Sequence, residues 1–214
     1  MTDERVYAKH LGAPRATDDT WVALRATRDG APIVLPWHAA LAIEGKCYQV
    51  RLGTITTPLT GDIDITDATA EAAAEAAAGN TIIPLAVNVQ LETLGTTLPQ
   101  AALKSVGAVI TTLGTAFVPL NLRIGGPAAS GRAAVAAAGG VAVAAEVATT
   151  TRILAAGIAT AIASAQPTFL DEQFDVPHIL VGPASVYLQV AAVTAGPTYF
   201  AFFNYAELLT TDIA

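Results

Sequence analysis

Three histidines, His10, His38 and His178, are the first residues to test for chemistry. They lie far apart, and none has a second histidine at i+4 or an HExxH context. A metal centre needs convergent ligands in a fixed geometry, so this pattern reads as solvated or capping histidines. Asp62, Asp64 and Asp67, in GDIDITD, place hard oxygen ligands close together, a set calcium favours. Their spacing departs from the EF-hand loop, and Ile63 and Ile65 alternate with Asp62 and Asp64 as on a strand with one wet face. An exposed strand and turn is the better reading. The single cysteine, Cys47, follows His38 by nine residues. The pair could suggest a thiol nucleophile, but Cys47 lies in an apolar alternating segment, where a buried free thiol is inert. One cysteine also excludes an intrachain disulfide framework and a cysteine-only zinc site.

The loop Gly125-Gly126-Pro127-Ala128-Ala129-Ser130-Gly131 is glycine-rich, yet no Lys-Ser/Thr follows it and Pro127 removes an amide donor. It does not match a phosphate-cradling loop. There is no G-x-S-x-G elbow. Asp171-Glu172 and Asp175 form one acidic cluster in a polar segment, and one cluster does not define a glycosidase pair. Tyr199, Phe200, Phe202, Phe203 and Tyr205 could form a ligand platform. Aromatic residues on both faces of one strand more often mean a core on one side and a subunit interface on the other. No catalytic, cofactor-binding or metal-binding residue is therefore assigned, no cofactor is implied, and the expectation is a protein that is not an enzyme.

The elements that carry these residues read mostly as strands. Met1 to about Thr20 is polar and aperiodic, an expected flexible arm, and residues 21–214 are expected to form a single domain. Trp21–Arg25 alternates, Arg28-Asp29-Gly30 marks a turn, and Ile33–Leu35 resumes extended structure. Cys47–Ile55, Thr81–Leu91, Val106–Thr112 and Ala116–Ile124 have strand chemistry. Pro84 makes a central place for the start of its strand less favourable. Val135 and Val141–Val147 keep period two around Gly139-Gly140, which reads as a hairpin turn. Ile153–Ala165 fits either period, with strand favoured. Ser185–Val193 and Thr198–Tyr205 read as a closing hairpin about Thr194-Ala195-Gly196-Pro197.

One segment differs. Asp67–Gly79 carries an alanine run, Glu71 and Glu75 at i and i+4, capping candidates in Asp67 or Thr69, and Gly79-Asn80 at its end. These features predict a short surface helix over about 68–79. The fold class is then mainly β, an antiparallel β-sandwich or jelly roll with that one helix.

Composition narrows the function. Among 214 residues, 46 are alanine and 26 threonine; only 14% are charged and 6% aromatic, at net charge −7. High hydrophobicity with low charge excludes an intrinsically disordered chain. The acidic balance disfavours extensive nucleic-acid contact. The charged N-terminus lacks a signal-peptide core. The apolar stretches Ala133–Ala145 and Ile153–Ala165 are too short for a membrane span. Small apolar side chains bury little area each, so burial against copies of the same chain is a natural supplement. No Lys or Arg occurs from Ile153 onward, which makes the C-terminal third a candidate outer or intersubunit surface.

Two segments carry a resemblance. Thr20–Val34 (TWVALRATRDGAPIV) resembles an N-terminal strand–turn–strand of bacteriophage virion proteins. Pro183–Leu208 (PASVYLQVAAVTAGPTYFAFFNYAEL) is similar to the closing hairpin of viral capsid-type β-sandwiches, including the tripeptide Tyr205-Ala206-Glu207. The Ala-rich middle, Arg132–Ala165, has no counterpart. The resemblance implies a virion structural protein of jelly-roll type, a capsid, decoration or minor capsid subunit. Its partners would be copies of itself and other virion proteins, and its location the virion, assembled in the host cytoplasm. The alternative is a carbohydrate- or surface-binding β-sandwich module, such as a phage receptor-binding or cell-surface protein.

Overall fold

The computed structural model describes residues 36–213 except 55, 94–96, 113, 136–140, 159–167 and 195. The arm at 1–20, the Trp21–Arg25 strand and the turn and strand up to Leu35 lie outside the described residues, as does the turn at Gly139-Gly140. In chain order the elements are α1 (Trp37–Ile43), β1 (Cys47–Leu52), β2 (Leu59–Thr60), β3 (Thr69–Ala70), β4 (Ala72–Ala76), β5 (Asn80–Thr93), β6 (Gln100–Val106) and β7 (Thr115–Phe117). There follow β8 (Leu120–Asn121), β9 (Arg132–Val135), β10 (Val141–Ala142), β11 (Thr151–Ile158), β12 (Leu170–Gln173), β13 (Leu180–Val181), β14 (Ala184–Ala191) and β15 (Thr198–Leu209). A single 3-10 turn, Thr210–Asp212, closes the described chain.

The strands form two antiparallel sheets packed face to face, a β-sandwich. One has seven strands in the order β12-β5-β15-β1-β8, with β13 also pairing β5 and β2 pairing β15. The other has six, β11-β6-β14-β4-β9-β7. Between them lies one apolar core. The seven-stranded sheet contributes Tyr48, Val50, Leu52, Val87, Val89, Tyr199, Phe203 and Tyr205. The six-stranded sheet contributes Ala72, Ala74, Ala76, Leu103, Val186, Leu188 and Val190. The larger aromatic side chains come from one sheet, and the other meets them with alanines interleaved among leucine and valine.

The expected helix over 68–79 is corrected: the alanine run forms β3 and β4, and every residue of Ala72–Ala76 is buried. β4 is an interior strand, paired on one side with β14 and on the other with β9. High intrinsic helix propensity loses here to two ladders and a core contact on each face. Gly79-Asn80 does terminate an element, but it turns β4 of one sheet into β5 of the other. The helix that forms is α1. Its signal was the glycine after it. Gly45 N–H donates to Ala42 O and Lys46 N–H to Leu41 O, the paired bonds of a glycine-terminated helix end. α1 rests Leu41 on Cys47, Ile83, Ala206 and Leu208.

The outer face of the six-stranded sheet is also covered. β3 and β10 pair as a two-stranded ribbon, and Ala73, Val106, Ile110, Val141, Val143 and Tyr187 form a second apolar cluster beneath it. This explains why all eight residues of β14 are buried although its sequence alternates. The closing hairpin is corrected too. β14 and β15 belong to different sheets, so their connection, described at Thr194, Gly196 and Pro197, crosses the sandwich as an arch and is not a hairpin turn. The arch is clamped where Gly61 N–H donates to Pro197 O at 2.8 Å. A Cβ on Gly196 would lie 1.8 Å from Gly61 O, so only glycine permits the approach. β9 and β10 likewise pair with other strands, not with each other. Pro84 sits inside β5, which is an interior strand. It faces Tyr205 at a register shift of β15, and on its other side it falls between the stretches paired by β13 and β12. A bulge and a gap between partners make its missing N–H harmless.

Candidate functional site

The antiparallel register of the seven-stranded sheet decides what its outer face presents. Along β15, Tyr199, Ala201, Phe203 and Tyr205 point into the core, so Phe200, Phe202 and Asn204 point outward. Register aligns Arg51 of β1, Phe202 of β15 and Asn88 of β5 in one row across the sheet. Gln90 pairs with Phe200 in the next row, and Gln49 and Asn204 with Ala86 beyond. Arg51, Gly53, Asn88, Gln90, Phe200 and Phe202 line a depression of about 360 Å³. Gly53, at φ +77°, makes room for Phe200, whose ring would lie 3.0 Å from a Cβ there.

The polar groups of this depression are not used by the fold. Asn88 is only 8% exposed, and its side chain makes no hydrogen bond among the described residues. Gln90 and Arg51 are exposed and likewise have no side-chain hydrogen bond or ion pair among them. By contrast Gln49 Nε2 donates to Asn204 Oδ1 at 3.1 Å.

A second polar cluster is structural. Lys104, 1% exposed on β6, donates through Nζ to Ile65 O, to Glu146 Oε2 and to Gln189 Oε1. Three acceptors match the three donors of an ammonium group. Gln189 Nε2 donates onward to Asp67 O and Thr69 O. The cluster ties the segment 62–70 and Glu146 onto the sheet. Three buried carboxylates hold backbone, and Glu75 does so by accepting from Ile110 N–H at 2.9 Å. Glu207 accepts from Gly131 N–H at 2.7 Å, Ser130 N–H at 3.0 Å and Ser130 Oγ, and so anchors the glycine-rich loop. Glu71 accepts from Asp62 N–H at 3.0 Å and Val190 N–H at 2.9 Å. Burial nevertheless pushes Glu71 up to about 8, outweighing those two bonds.

The residues singled out by sequence fall as follows. Asp62 and Asp64 turn their oxygens to their own loop, Asp62 to Ile63 N–H and Thr69 Oγ1 and Asp64 to Thr66, while Asp67 accepts from Thr69 and from Gln189 Nε2 of β14. Bonds from Thr66 hold Asp64 below its ordinary range. Among the described residues, no three His, Cys, Asp or Glu side chains converge as a metal set would. Cys47 and His38 do meet, but the thiol donates to the His38 carbonyl at 3.7 Å, while the imidazole packs edge-on to Trp37. Burial raises the Cys47 thiol to about 11, which keeps it protonated. His178 packs edge-on to Phe174 at 5.5 Å, and His10 lies outside the described residues. Asp171, Glu172 and Asp175 are exposed at the β12 edge. The five clustered aromatics divide into Tyr199, Phe203 and Tyr205 within the core and Phe200 and Phe202 on the outer face. Sequence reading missed Arg51, Asn88 and Gln90. Their alternation with inward residues was visible, but only strand pairing sets them beside the phenylalanines.

These features define a β-sandwich with a solvent-facing aromatic and amide depression on one sheet. The sequence matches no protein-family model, and comparison with curated proteins and with solved structures gives no match.

Proposed function

We propose that this protein is a non-catalytic structural subunit that assembles with copies of itself, in keeping with a virion capsid, decoration or minor capsid role. The observation that carries the reading is the pair of edges of the seven-stranded sheet. At one, the β8 edge, Val118, Leu120, Leu122 and Ile124 are exposed, Ile124 almost completely, beside exposed Ile43. At the other, Val176, Ile179 and Val181 are exposed near β12 and β13. A run of bare apolar side chains along a sheet edge offers surface for a further copy to cover, although each run also holds a proline and a charge, Pro119 and Arg123 at one edge and Pro177 and Asp175 at the other. Low overall charge supports the same reading, since assembly interfaces are depleted in charged residues at their centres.

Light scattering on the purified full chain, with negative-stain images of the same peak, tests it. A closed shell or a discrete oligomer is the expected result. A monomer of the chain mass, 21.8 kDa, at working concentrations overturns it.

A further inference from the structure

We infer that the depression around Phe200 and Phe202 is a binding site for an acidic saccharide, a sugar chain bearing carboxylates. The inference goes beyond self-assembly and does not depend on it. Three features of the site select this ligand. The first is Asn88, which is more than nine-tenths buried, lines the depression and leaves its amide without a hydrogen bond among the described residues. An amide offers two donors and an acceptor, a set that sugar hydroxyls can satisfy together. An apolar protein surface laid over the same place would bury it unpaired, at a penalty. The second is the pair of half-buried rings, Phe200 and Phe202, projecting from one strand into solvent. They offer flat apolar area at little entropic cost, suited to the C–H face of a pyranose ring. The third is Arg51, whose guanidinium has no ion pair among the described residues although the chain is acidic overall. Its planar fork matches a carboxylate in bidentate fashion. A cavity of about 360 Å³ lies at the small end of the roughly 300–1,000 Å³ typical of ligand sites, which suits a ring or two of a saccharide.

Saturation-transfer NMR on the full chain tests the inference. The probes are tetragalacturonate, an alginate tetrasaccharide, a hyaluronan tetrasaccharide and sialyllactose, with lactose and maltotetraose as neutral counterparts. At least one acidic probe should receive saturation at millimolar concentration and bind at least tenfold more tightly than the neutral ones. Phe202→Ala should abolish that signal. Arg51→Gln should reduce acidic binding to the neutral level, and Gln90→Glu should weaken it at least tenfold by charge repulsion. Arg51 and Gln90 are exposed, so those two variants keep the fold even if Phe202→Ala loosens it, and thermal melts verify this. No transfer to any acidic probe overturns the inference, as does binding unchanged in Arg51→Gln and Gln90→Glu. Equal binding of neutral and acidic probes overturns the acidic assignment.

Discussion

Glu71 shows at the residue scale how a side chain can be structural and titratable at once. Its carboxyl holds two backbone N–H groups from separate segments, yet burial raises it to about 8 from an ordinary 4.5. A group whose pKa is raised by folding contributes stability that is fully present below the unfolded value and lost as pH rises through the folded one. The window is therefore about pH 4.5 to 8. In Glu71→Gln one oxygen becomes an NH₂ that opposes a backbone donor, so the variant should be less stable than wild type at pH 5. By pH 9 the gap should close or reverse, a swing of a few kcal/mol at about 1.4 kcal/mol per pH unit. Chemical denaturation at both pH values measures it, and a gap that stays constant with pH refutes the assignment. Glu71 was legible in the sequence only as half of an i, i+4 pair. Its actual neighbours are Asp62, nine residues before it, and Val190, far along the chain, and no spacing rule connects them.

At the element scale the decisive piece is β4. Its alanines have the highest helix propensity of any residue, and the run ends in a glycine. They form a strand because β14 and β9 offer ladders on both sides and because small side chains fit opposite Tyr48, Phe203 and Tyr205. Enlarging one of them should be costly. Ala74→Leu, fully buried between the sheets, is expected to destabilise the fold by about 1–3 kcal/mol through overpacking. A surface helix, the reading from sequence, would instead tolerate leucine with almost no change, so an unaltered urea midpoint would contradict the strand. Four strands were legible, β1, β5, β14 and β15, which fall where alternation and β-branched or aromatic content place them; β6 was not, since the strand read at Val106–Thr112 lies just beyond it. The partners of those four were not legible. Ser185–Val193 and Thr198–Tyr205 look like hairpin arms because the connection is short, but a short connection also suits an arch between sheets.

For the whole molecule, the two edges of the seven-stranded sheet differ in charge as well as in sequence. The β8 edge carries Arg123 and Lys46, with Arg51 on the neighbouring β1 and Glu44 nearby; the β12 edge carries Asp171, Glu172 and Asp175. Such complementarity favours head-to-tail association, which closes into rings or continues as filaments. Arg123→Glu and Glu172→Lys should each reduce assembly of the full chain in light scattering. Mixed in equal amounts, they should regain assembly, because each keeps one intact edge that fits the other's and the two reversed charges are again opposite in sign. If both variants assemble like wild type, this arrangement is wrong and self-assembly proceeds through another face. The basic-free C-terminal third is only in part an outer surface. Most of the segment 171–181 is exposed, Leu180 being buried in the core, whereas β14 and much of β15 make up the centre of the sandwich.

The sequence by itself determined the class: β-rich alternation, frequent turns and low charge specify antiparallel sheets that bury small side chains. It also placed Cys47 in a strand, but on the face that carries Gln49 and Arg51; the thiol is shielded only because α1 packs Leu41 over it. The tertiary structure decided everything that depends on which strands become neighbours. It turned an alanine run into an interior strand, split five aromatics between core and surface, and set Arg51, Phe202 and Asn88 in one row. The physical reason is that periodicity records which face of an element is apolar, whereas pairing, register and sheet membership arise from contacts between residues far apart in the chain.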